Sequence, residues 1–388
     1  MNYKVLTLNK ISKKGLRLLP DNFEVGDNIE NPDAILVRSA NLHDMDIPRS
    51  VKFIGRAGAG VNNIPLEKCA EAGIVVCNTP GANANAVKEI VAAGLLLASR
   101  KLNDGIAWAK TLPDQDVDVA KAIEKGKSQF AGPELAGKKL GIVGLGAIGV
   151  LVANMAVDLG MRVYGYDPYI SIENAWGLSR KVKRAKSLEG VFANCDYVTL
   201  HLPYMEETKN IVNEDLLSQA KDLRLLNFAR GGLVDNAALK TALEDGRVAV
   251  YVTDFPNEET LALPNTINVP HLGASTPESE ENCAVMAVQE MIDYLTEGNI
   301  VHSVNYPDVD MGRMDNVGRI TICHHNVPNM IAQVTTILAN DNINISDMTN
   351  KNRGNFAYTM IDVDSPIGAK VKEDLYKIKG VTRVRILK

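Results

Sequence analysis

Short apolar runs alternate with polar helical stretches along the first hundred residues. Residues 3–8, 34–38, 51–55 and 74–77 are apolar runs of strand length, and residues 84–100 form one long stretch of strong helix propensity. Strands separated by helices in this way are typical of β-α-β units around a parallel sheet. The pattern therefore predicts an α/β domain at the start of the chain.

A second alternation begins at residue 138. Apolar runs at 139–144, 162–166, 197–200, 224–227, 249–253 and 266–269 predict six strands. Residues 147–159 carry Ile148, Leu151, Val152, Met155 and Leu159 on one helix face. This number and rhythm of elements predict a doubly wound dinucleotide-binding domain.

The remainder of the chain follows a third pattern. Residues 277–296 predict a helix, and 297–315 are rich in Gly, Asn, Asp and Pro. Residues 317–388 then follow the order β-α-β-β-α-β, which is typical of a ferredoxin-like domain. We predict an α/β fold with two doubly wound Rossmann-like domains and this C-terminal domain. The predicted boundaries are 1–97 with 277–305 for substrate binding, 98–276 for the nucleotide, 306–316 for a linker and 317–388 for the last domain.

Composition narrows the class of protein. The net charge of −5 gives no reason to expect nucleic acid as a partner. The five cysteines are scattered and form no C-x-x-C, so we predict a reducing compartment without a disulfide scaffold or thiolate metal site. No apolar run has the length of a membrane span, and the N-terminus has no signal-peptide character. We therefore expect a cytoplasmic protein with no membrane partner.

A glycine-rich turn follows the strand predicted at 139–144. Gly144, Gly146 and Gly149 form G-x-G-x-x-G, and an amphipathic helix comes next, which is the context of a dinucleotide-binding turn. The glycines permit a tight turn, approach of a pyrophosphate to backbone N–H groups and close helix packing. Asp167, at the end of the next strand, would bond ribose hydroxyls and repel a 2′-phosphate. This pattern predicts NAD rather than NADP.

Two functional side chains follow later strands of the same predicted sheet. Arg230 comes after the strand at 224–227, and His271 after the strand at 266–269. Ligands bind at these carboxyl ends in open α/β sheets. A guanidinium suits a carboxylate, and an imidazole exchanges protons near neutral pH. Glu258 or Glu259 would orient the imidazole. The sequence predicts an Arg/Glu/His site facing a nicotinamide ring.

Four motifs resemble the D-isomer-specific 2-hydroxyacid dehydrogenase family in order and spacing. They are G-L-G-A-I-G at 144–149 with Asp167, H-L-P at 201–203, N-F-A-R-G-G-L-V-D at 227–235 and P-H-L-G-A-S-T at 270–276. The resemblance spans residues 1 to about 305. I-G-R-A-G-A-G-V at 54–61 and N-T-P at 78–80 are similar to members that oxidise 3-phospho-D-glycerate. The resemblance implies NAD-dependent oxidation of that substrate to 3-phosphooxypyruvate, the first step of L-serine biosynthesis.

The same resemblance implies roles for individual residues. Arg230 would bind the substrate carboxylate and keto oxygen, and His271 would be the acid–base group. The family reads D-V-F-x-x-E, but this chain reads D-F-P-N-E-E at 254–259. Counting from Asp254 chooses Glu259 as the partner of His271, whereas anchoring on Phe-Pro chooses Glu258. The implied cofactor contacts are Gly144, Gly146, Ala147, Ile148, Gly149, Asp167, Leu202, Pro203, Phe228, Ala229, Asp254, Gly273 and Ala274.

The C-terminal strand order resembles an ACT domain, a regulatory module that binds amino acids. H-H-N-V-P at 324–328 and Asn344 are similar to the residues that bind serine in serine-inhibited members. This implies an effector site at His324, Asn326 and Asn344. Asn329 stands where the usual glycine follows the proline, and asparagine tolerates left-handed backbone better than most residues. The alternative is that these polar side chains cap helices and bind no ligand.

The implied substrate carries a phosphate that needs a cationic partner. Arg56, with Ala57 and Gly58, is the first choice because it combines a fork of donors with free backbone N–H groups. Arg38 and Lys88 are alternatives. We predict no metal site, since His43, His302 and His325 lack acidic or cysteine neighbours at ligand spacing.

Other functions stay open on the sequence alone. One is a D-2-hydroxyacid dehydrogenase acting on glycerate, lactate or 2-hydroxyglutarate, and another is a non-catalytic sensor of NAD and amino acids. The resemblance implies a homodimer or homotetramer.

Overall fold

Three sheets organise the chain, and the computed structural model describes residues 2–387. The first sheet comprises β1 (Tyr3–Leu8), β2 (Phe23–Gly26), β3 (Ala34–Val37), β4 (Phe53–Arg56) and β5 (Val75–Asn78). The second comprises β6 (Lys139–Val143), β7 (Arg162–Tyr166), β8 (Lys183–Arg184), β9 (Tyr197–Leu200), β10 (Leu223–Asn227), β11 (Val248–Thr253) and β12 (Thr266–Asn268). The third comprises β13 (Gly318–His325), β14 (Ile345–Arg353), β15 (Phe356–Val363) and β16 (Val381–Leu387).

Helices in the described part of the chain lie between most of the strands, although none lies between β2 and β3 or between β3 and β4. They are α1 (Lys13–Leu16), α2 (Leu66–Glu71), α3 (Ala84–Ser99), α4 (Leu102–Thr111), α5 (Val119–Gly126), α6 (Ala147–Asp158), α7 (Ile172–Gly177), α8 (Leu188–Asn194), α9 (Glu214–Leu217), α10 (Asn236–Glu244), α11 (Glu258–Leu261), α12 (Pro277–Glu297), α13 (Met330–Asn340) and α14 (Ala369–Tyr376). Among the helices of residues 2–387, none combines the length and apolar character of a membrane-spanning helix.

The strand orders confirm the predicted fold class. The first sheet is parallel with the order β2-β1-β3-β4-β5, and the second is parallel with the order β12-β11-β10-β9-β6-β7-β8. Both are doubly wound, and the second has the order of a dinucleotide-binding sheet, with its switch point between β6 and β9. The third is antiparallel with the order β14-β15-β13-β16.

Three strands differ from the sequence prediction, and each lies at the edge of a sheet. The sequence analysis missed β2 and β8, and where the sequence predicts a strand at 343–348, β14 begins at Ile345 and runs to Arg353. Most side chains of these strands are exposed. An edge strand can be polar because one of its sides has no neighbour to pack against, so no apolar run marks it.

Packing divides the chain into two compact units. The first unit comprises Met1–Asn83 and Pro277–Lys388, and the second comprises Ala84–Thr276. The boundaries proposed from the sequence stay predictions. In the second unit, α3 lies against β10 so closely that a Cβ on Gly94 would come within 2.7 Å of the ring of Phe228.

In the first unit the C-terminal sheet shares an apolar core with the N-terminal sheet. Tyr358 and Met360 of β15 lie in the same core as Phe53 of β4 and Met291 of α12. All four side chains are buried, so the inner faces of the two sheets are both covered by this core.

Two buried arginines attach the C-terminal sheet to the end of α12. Arg319 donates from Nη1 to the carbonyl oxygen of Glu297, the last residue of α12, at 2.8 Å, and it also makes a bidentate ion pair with Asp362 within the sheet, at 2.5 and 2.9 Å. Arg385 donates to the carbonyl oxygens of Tyr294 and Leu295, at 2.9 and 2.7 Å. These carbonyls belong to the last turn of α12, where helix carbonyls lack partners and cations are favoured.

Candidate active site

The glycine turn after β6 has two glycines that its own packing requires. Gly144 has φ +93°, and a Cβ there would lie 2.5 Å from the carbonyl oxygen of His201. A Cβ on Gly149 would lie 2.0 Å from the carbonyl oxygen of Gly144. A Cβ on Gly146, in contrast, would meet no heavy atom of residues 2–387 within 4 Å. The space above Gly146 fits a dinucleotide pyrophosphate at the N-terminus of α6.

Asp167 is anchored beside this turn at the end of β7. Its Oδ2 accepts the N–H of Leu145 at 2.8 Å, and its Oδ1 accepts the N–H of Tyr169 at 2.8 Å. Each carboxylate oxygen keeps a further lone pair for a ribose hydroxyl. The geometry fits the adenosine end of NAD.

His201 closes the other side of the turn. Its Nε2 lies 3.1 Å from the Thr199 hydroxyl, and burial of its ring lowers the pKa of His201 to about 3. The imidazole is therefore neutral at physiological pH. Leu202 is half-buried and Pro203 exposed at the rim that follows.

Arg230 leaves the end of β10 as an exposed side chain. Its backbone is extended, and its Nη1 donates to the carbonyl oxygen of Ala229 at 2.7 Å. No carboxylate of residues 2–387 lies within ion-pair distance of its guanidinium. Phe228 and Ala229, the residues before it, are buried. The guanidinium therefore has donors available for an anionic ligand.

His271 stands in strained backbone after β12. Its φ of +37° lies in the left-handed region, which costs a non-glycine residue about 1–3 kcal/mol. Its N–H donates to the carbonyl oxygens of Asp254 and Val269 at 3.1 and 2.9 Å. The imidazole packs on the Phe255 ring, with 4.8 Å between ring centroids. The two backbone hydrogen bonds hold the His271 backbone in this conformation, and the contact with the Phe255 ring orients the imidazole.

Asp254 lies buried after β11, the strand between those that Arg230 and His271 follow. Its Oδ2 accepts the Gly273 N–H at 3.2 Å, whereas its Oδ1 has no hydrogen-bond partner within residues 2–387. Burial raises the pKa of Asp254, and the charges of His271 and Arg230 act in the opposite direction. A buried acceptor without a donor is costly, so Oδ1 fits a ligand amide such as the carboxamide of nicotinamide. Ala274 follows, half-buried, on the same loop.

A cavity of about 890 Å³ opens at this end of the second sheet. Glu259 and His271 both line it, whereas neither Glu258 nor Arg230 is among its lining residues. The carboxylate of Glu259 accepts a 2.6 Å hydrogen bond from Nδ2 of Asn236. Sequence reasoning missed Asn236, because nothing in the local pattern relates the start of α10 to the loop before α11.

Asn227 is a second residue that sequence reasoning missed. It is completely buried at the end of β10, and its amide bonds to the backbone of Arg230. A buried asparagine in an apolar strand was the available signal, since buried polar side chains require partners.

Arg56, at the end of β4 in the first unit, has its side chain folded over Gly58, two residues later. Its Nη1 is 3.4 Å from the carbonyl oxygen of Ala57, and a Cβ on Gly58 would lie 1.4 Å from the same nitrogen. Gly58, at φ +143°, is therefore the residue that this arginine conformation needs. Of the alternatives, Arg38 is engaged by Glu280 at 2.7 Å, and Lys88 by Asn85.

The predicted effector residues each bond within the C-terminal sheet and its loops. His324 is buried, and its Nε2 lies 2.8 Å from the Thr359 hydroxyl; burial lowers the pKa of His324. Asn326 donates to the carbonyl oxygen of Gly354 at 3.4 Å. Asn344 donates to Asp364 at 2.7 Å. Within residues 2–387, none of these three side chains hydrogen bonds to another of them. Asn329 adopts left-handed backbone, with φ +65°.

Comparisons with known proteins agree with this geometry. Residues 97–273 match the family model of the D-isomer specific 2-hydroxyacid dehydrogenase, NAD binding domain. The chain is 33% identical over 340 residues to D-3-phosphoglycerate dehydrogenase of Haemophilus influenzae, covering 84% of this chain and 79% of that protein. It is also 33% identical to the Bacillus subtilis protein of that name, of which it spans 59%.

Among solved structures, the chain resembles the NAD+-bound 3-phosphoglycerate dehydrogenase of Entamoeba histolytica. The TM-score is 0.60 at 26% identity, covering 79% of this chain and 99% of that one. The family match confirms the predicted NAD-binding domain.

Proposed function

Because the chain belongs to the D-isomer-specific 2-hydroxyacid dehydrogenase family, we propose that it is an NAD-dependent dehydrogenase that oxidises 3-phospho-D-glycerate to 3-phosphooxypyruvate. The observation that carries the proposal is that Arg230, buried Asp254 and His271 follow three adjacent parallel strands, with the His271 N–H bonded to the Asp254 carbonyl oxygen at 3.1 Å. Hydride transfer from a 2-hydroxyacid needs three groups. They are a guanidinium that binds the carboxylate, an imidazole that takes the proton and a buried acceptor that bonds the cofactor amide.

Each side chain has a defined task in this reaction. When bound, NAD supplies the hydride acceptor. The turn around Gly146, with Asp167, would hold its pyrophosphate and ribose, and Asp254 Oδ1 would accept from its carboxamide. Arg230 would hold the substrate carboxylate, and Nε2 or Nδ1 of His271 would take the hydroxyl proton.

Glu259, rather than Glu258, is the proposed carboxylate partner of His271. Its support is that Glu259 lines the same cavity as the imidazole, at the position that counting from Asp254 selects. An ionised carboxylate beside the imidazole would stabilise the imidazolium that forms after proton uptake.

Arg56 is the proposed partner of the substrate phosphate. The comparison that tests it is kcat/KM for 3-phosphoglycerate against glycerate, in wild type and in Arg56→Ala. Loss confined to the phosphorylated substrate supports the assignment, and equal losses on both substrates contradict it. A wild type that prefers glycerate, lactate or 2-hydroxyglutarate would instead assign a different 2-hydroxyacid.

The direct test of the enzyme is consumption of NADH with 3-phosphooxypyruvate. Arg230→Ala and His271→Ala should each lower kcat/KM by at least about 100-fold while NADH binding persists. If wild type binds NADH but turns over no 2-keto acid, the result would favour the alternative of a non-catalytic sensor of NAD and amino acids.

Regulation by serine and self-association complete the proposal. Serine would bind near His324, Asn326 and Asn344, and its test is inhibition of wild type against Asn344→Ala. A homodimer or homotetramer is supported by exposed apolar side chains on α4 and α5, which include Ile106 and Ile123. Light scattering of wild type against Ile106→Glu tests this.

The proposed location is the cytoplasm. All five cysteines are buried free thiols, which suits a reducing compartment.

A further inference from the structure

The buried side-chain amide of Asn227 bonds both the N–H and the carbonyl oxygen of Arg230. Asn227 Oδ1 accepts the N–H groups of Ala229 and Arg230, at 3.2 and 3.3 Å. Its Nδ2 donates to the carbonyl oxygen of Arg230 at 2.9 Å. The donor and the acceptor of the Arg230 backbone are thus bonded to the same side chain, three residues earlier in the chain.

The chain after Arg230 adds one bond to the Arg230 backbone, in which the Leu233 N–H donates to its carbonyl oxygen at 3.3 Å. Gly231 and Gly232 follow immediately, and glycine restricts backbone angles less than any other residue. The short 3-10 turn at Gly231–Leu233 has no side-chain cap. Asn227 bonds both the N–H and the carbonyl oxygen of Arg230, and its bonds therefore restrain the point from which the guanidinium leaves the backbone.

Tyr251 holds the amide in the required orientation. It lies on β11, beside β10, and its hydroxyl is 3.3 Å from Asn227 Nδ2. Both side chains are buried. With Nδ2 facing two oxygens and Oδ1 facing two N–H groups, neither a flipped amide nor a carboxylate can satisfy all four partners.

We propose that Asn227 is a positioning residue for Arg230, supported by Tyr251, and that it acts on substrate binding and turnover only through that arginine. The inference rests on the proposed function, which gives Arg230 the substrate carboxylate. A displacement of about 1 Å at a reacting group costs up to about 100-fold in rate, so the restraint has kinetic consequences.

The test measures reduction of 3-phosphooxypyruvate by NADH in Asn227→Ala and Tyr251→Phe. Asn227→Ala should lower kcat/KM by about 100-fold, with a raised KM for the keto acid. Tyr251→Phe, which removes a single hydroxyl, should lower it by about fivefold. The Kd of NADH should stay at the wild-type value in both. If Asn227→Ala fails to fold, Tyr251→Phe carries the test.

A double-mutant cycle separates positioning from a general structural role. In an Arg230→Ala background, Asn227→Ala should cause no additional loss, because residues that act as one unit are not additive. The matched control is Asn213→Ala, which removes the amide that caps α9 and should lower the Tm without changing KM. Additive losses, weakened NADH binding, or unchanged kinetics in Asn227→Ala would overturn the inference.

A binding measurement keeps this result distinct from failure of the proposed function. Oxalate, a small dicarboxylate, should bind the NADH complex of wild type and bind more weakly in Arg230→Ala and Asn227→Ala. If wild type turns over no keto acid but binds oxalate in this pattern, the function falls and the positioning role stands. If oxalate binding depends on Arg230 and not on Asn227, the positioning role falls.

Discussion

The side-chain amide of Asn236 donates a 2.6 Å hydrogen bond to the carboxylate of Glu259. Asn236 begins α10 and Glu259 lies in the first turn of α11, and both line the cavity that contains His271. The bond holds one of two adjacent glutamates on the cavity wall. Within residues 2–387 the imidazole of His271 makes no hydrogen bond. Only Oε2 of Glu259 accepts from Asn236, so Oε1 keeps its lone pairs for the imidazole.

Two adjacent substitutions distinguish the glutamates. Glu259→Gln should lower kcat/KM by about 100-fold, because a neutral amide cannot stabilise the imidazolium. Glu258→Gln makes the same chemical change one residue earlier and should leave kcat/KM near wild type. Steady-state kinetics with 3-phosphooxypyruvate and NADH measures both, and the reverse ranking would assign the role to Glu258.

Asp167→Asn should weaken NADH binding and reduce discrimination against NADPH. The amide keeps the shape of the carboxylate but loses its charge, so its bonds to ribose hydroxyls weaken and its repulsion of a 2′-phosphate disappears. We expect about a tenfold rise in the Kd of NADH, the effect of about 1.4 kcal/mol. Fluorescence titration measures it, with Asp158→Asn on the surface of α6 as the control. An unchanged ratio of NADH to NADPH affinity would contradict the role.

Arg319→Met should destabilise the first unit by about 3–5 kcal/mol, because it leaves the Asp362 carboxylate buried without its partner. Urea denaturation measures the loss. The double variant Arg319→Met/Asp362→Leu should recover much of it, since no buried charge remains unpaired.

Deleting residues 317–388 should also lower the stability of the first unit, because it exposes the core that includes Met291. A deletion variant as stable as wild type would indicate that the C-terminal sheet is separable.

Glu290 gives the first unit a pH-dependent stability. Its Oε1 lies 2.8 Å from Nδ1 of His302, its Oε2 is buried without a partner in residues 2–387, and burial, assisted by the charge of Asp308, raises the pKa of Glu290 to about 9. Between the unfolded value of about 4.3 and about 9, the folded state binds more protons than the unfolded state. The contribution of Glu290 to stability is therefore present at low pH and lost as the pH rises through this window.

The variant that tests this is Glu290→Gln, which keeps the shape and cannot ionise. Its urea midpoint should fall less than that of wild type between pH 5 and pH 9. Parallel midpoint curves for the two proteins would contradict the assignment.

The local sequence predicted the strands of both doubly wound sheets except β2 and β8, and it also predicted the residues at the carboxyl ends of those strands. Gly144, Asp167, Arg230 and His271 could be found because each follows an apolar run that marks a strand, and a parallel sheet brings such ends to one edge. The edge strands β2 and β8 were missed because exposed strands have no apolar run.

Tertiary structure decided the relationships that join distant segments. It assigned Glu259 to the cavity of His271, packed α3 with the second sheet and the C-terminal sheet with the first, and brought the amide of Asn227 to Arg230 and Tyr251. Periodicity reports which face of an element is buried, since burial follows from the side-chain repeat of a strand or helix. Which partner covers that face depends on contacts across hundreds of residues, and these form only when the chain packs.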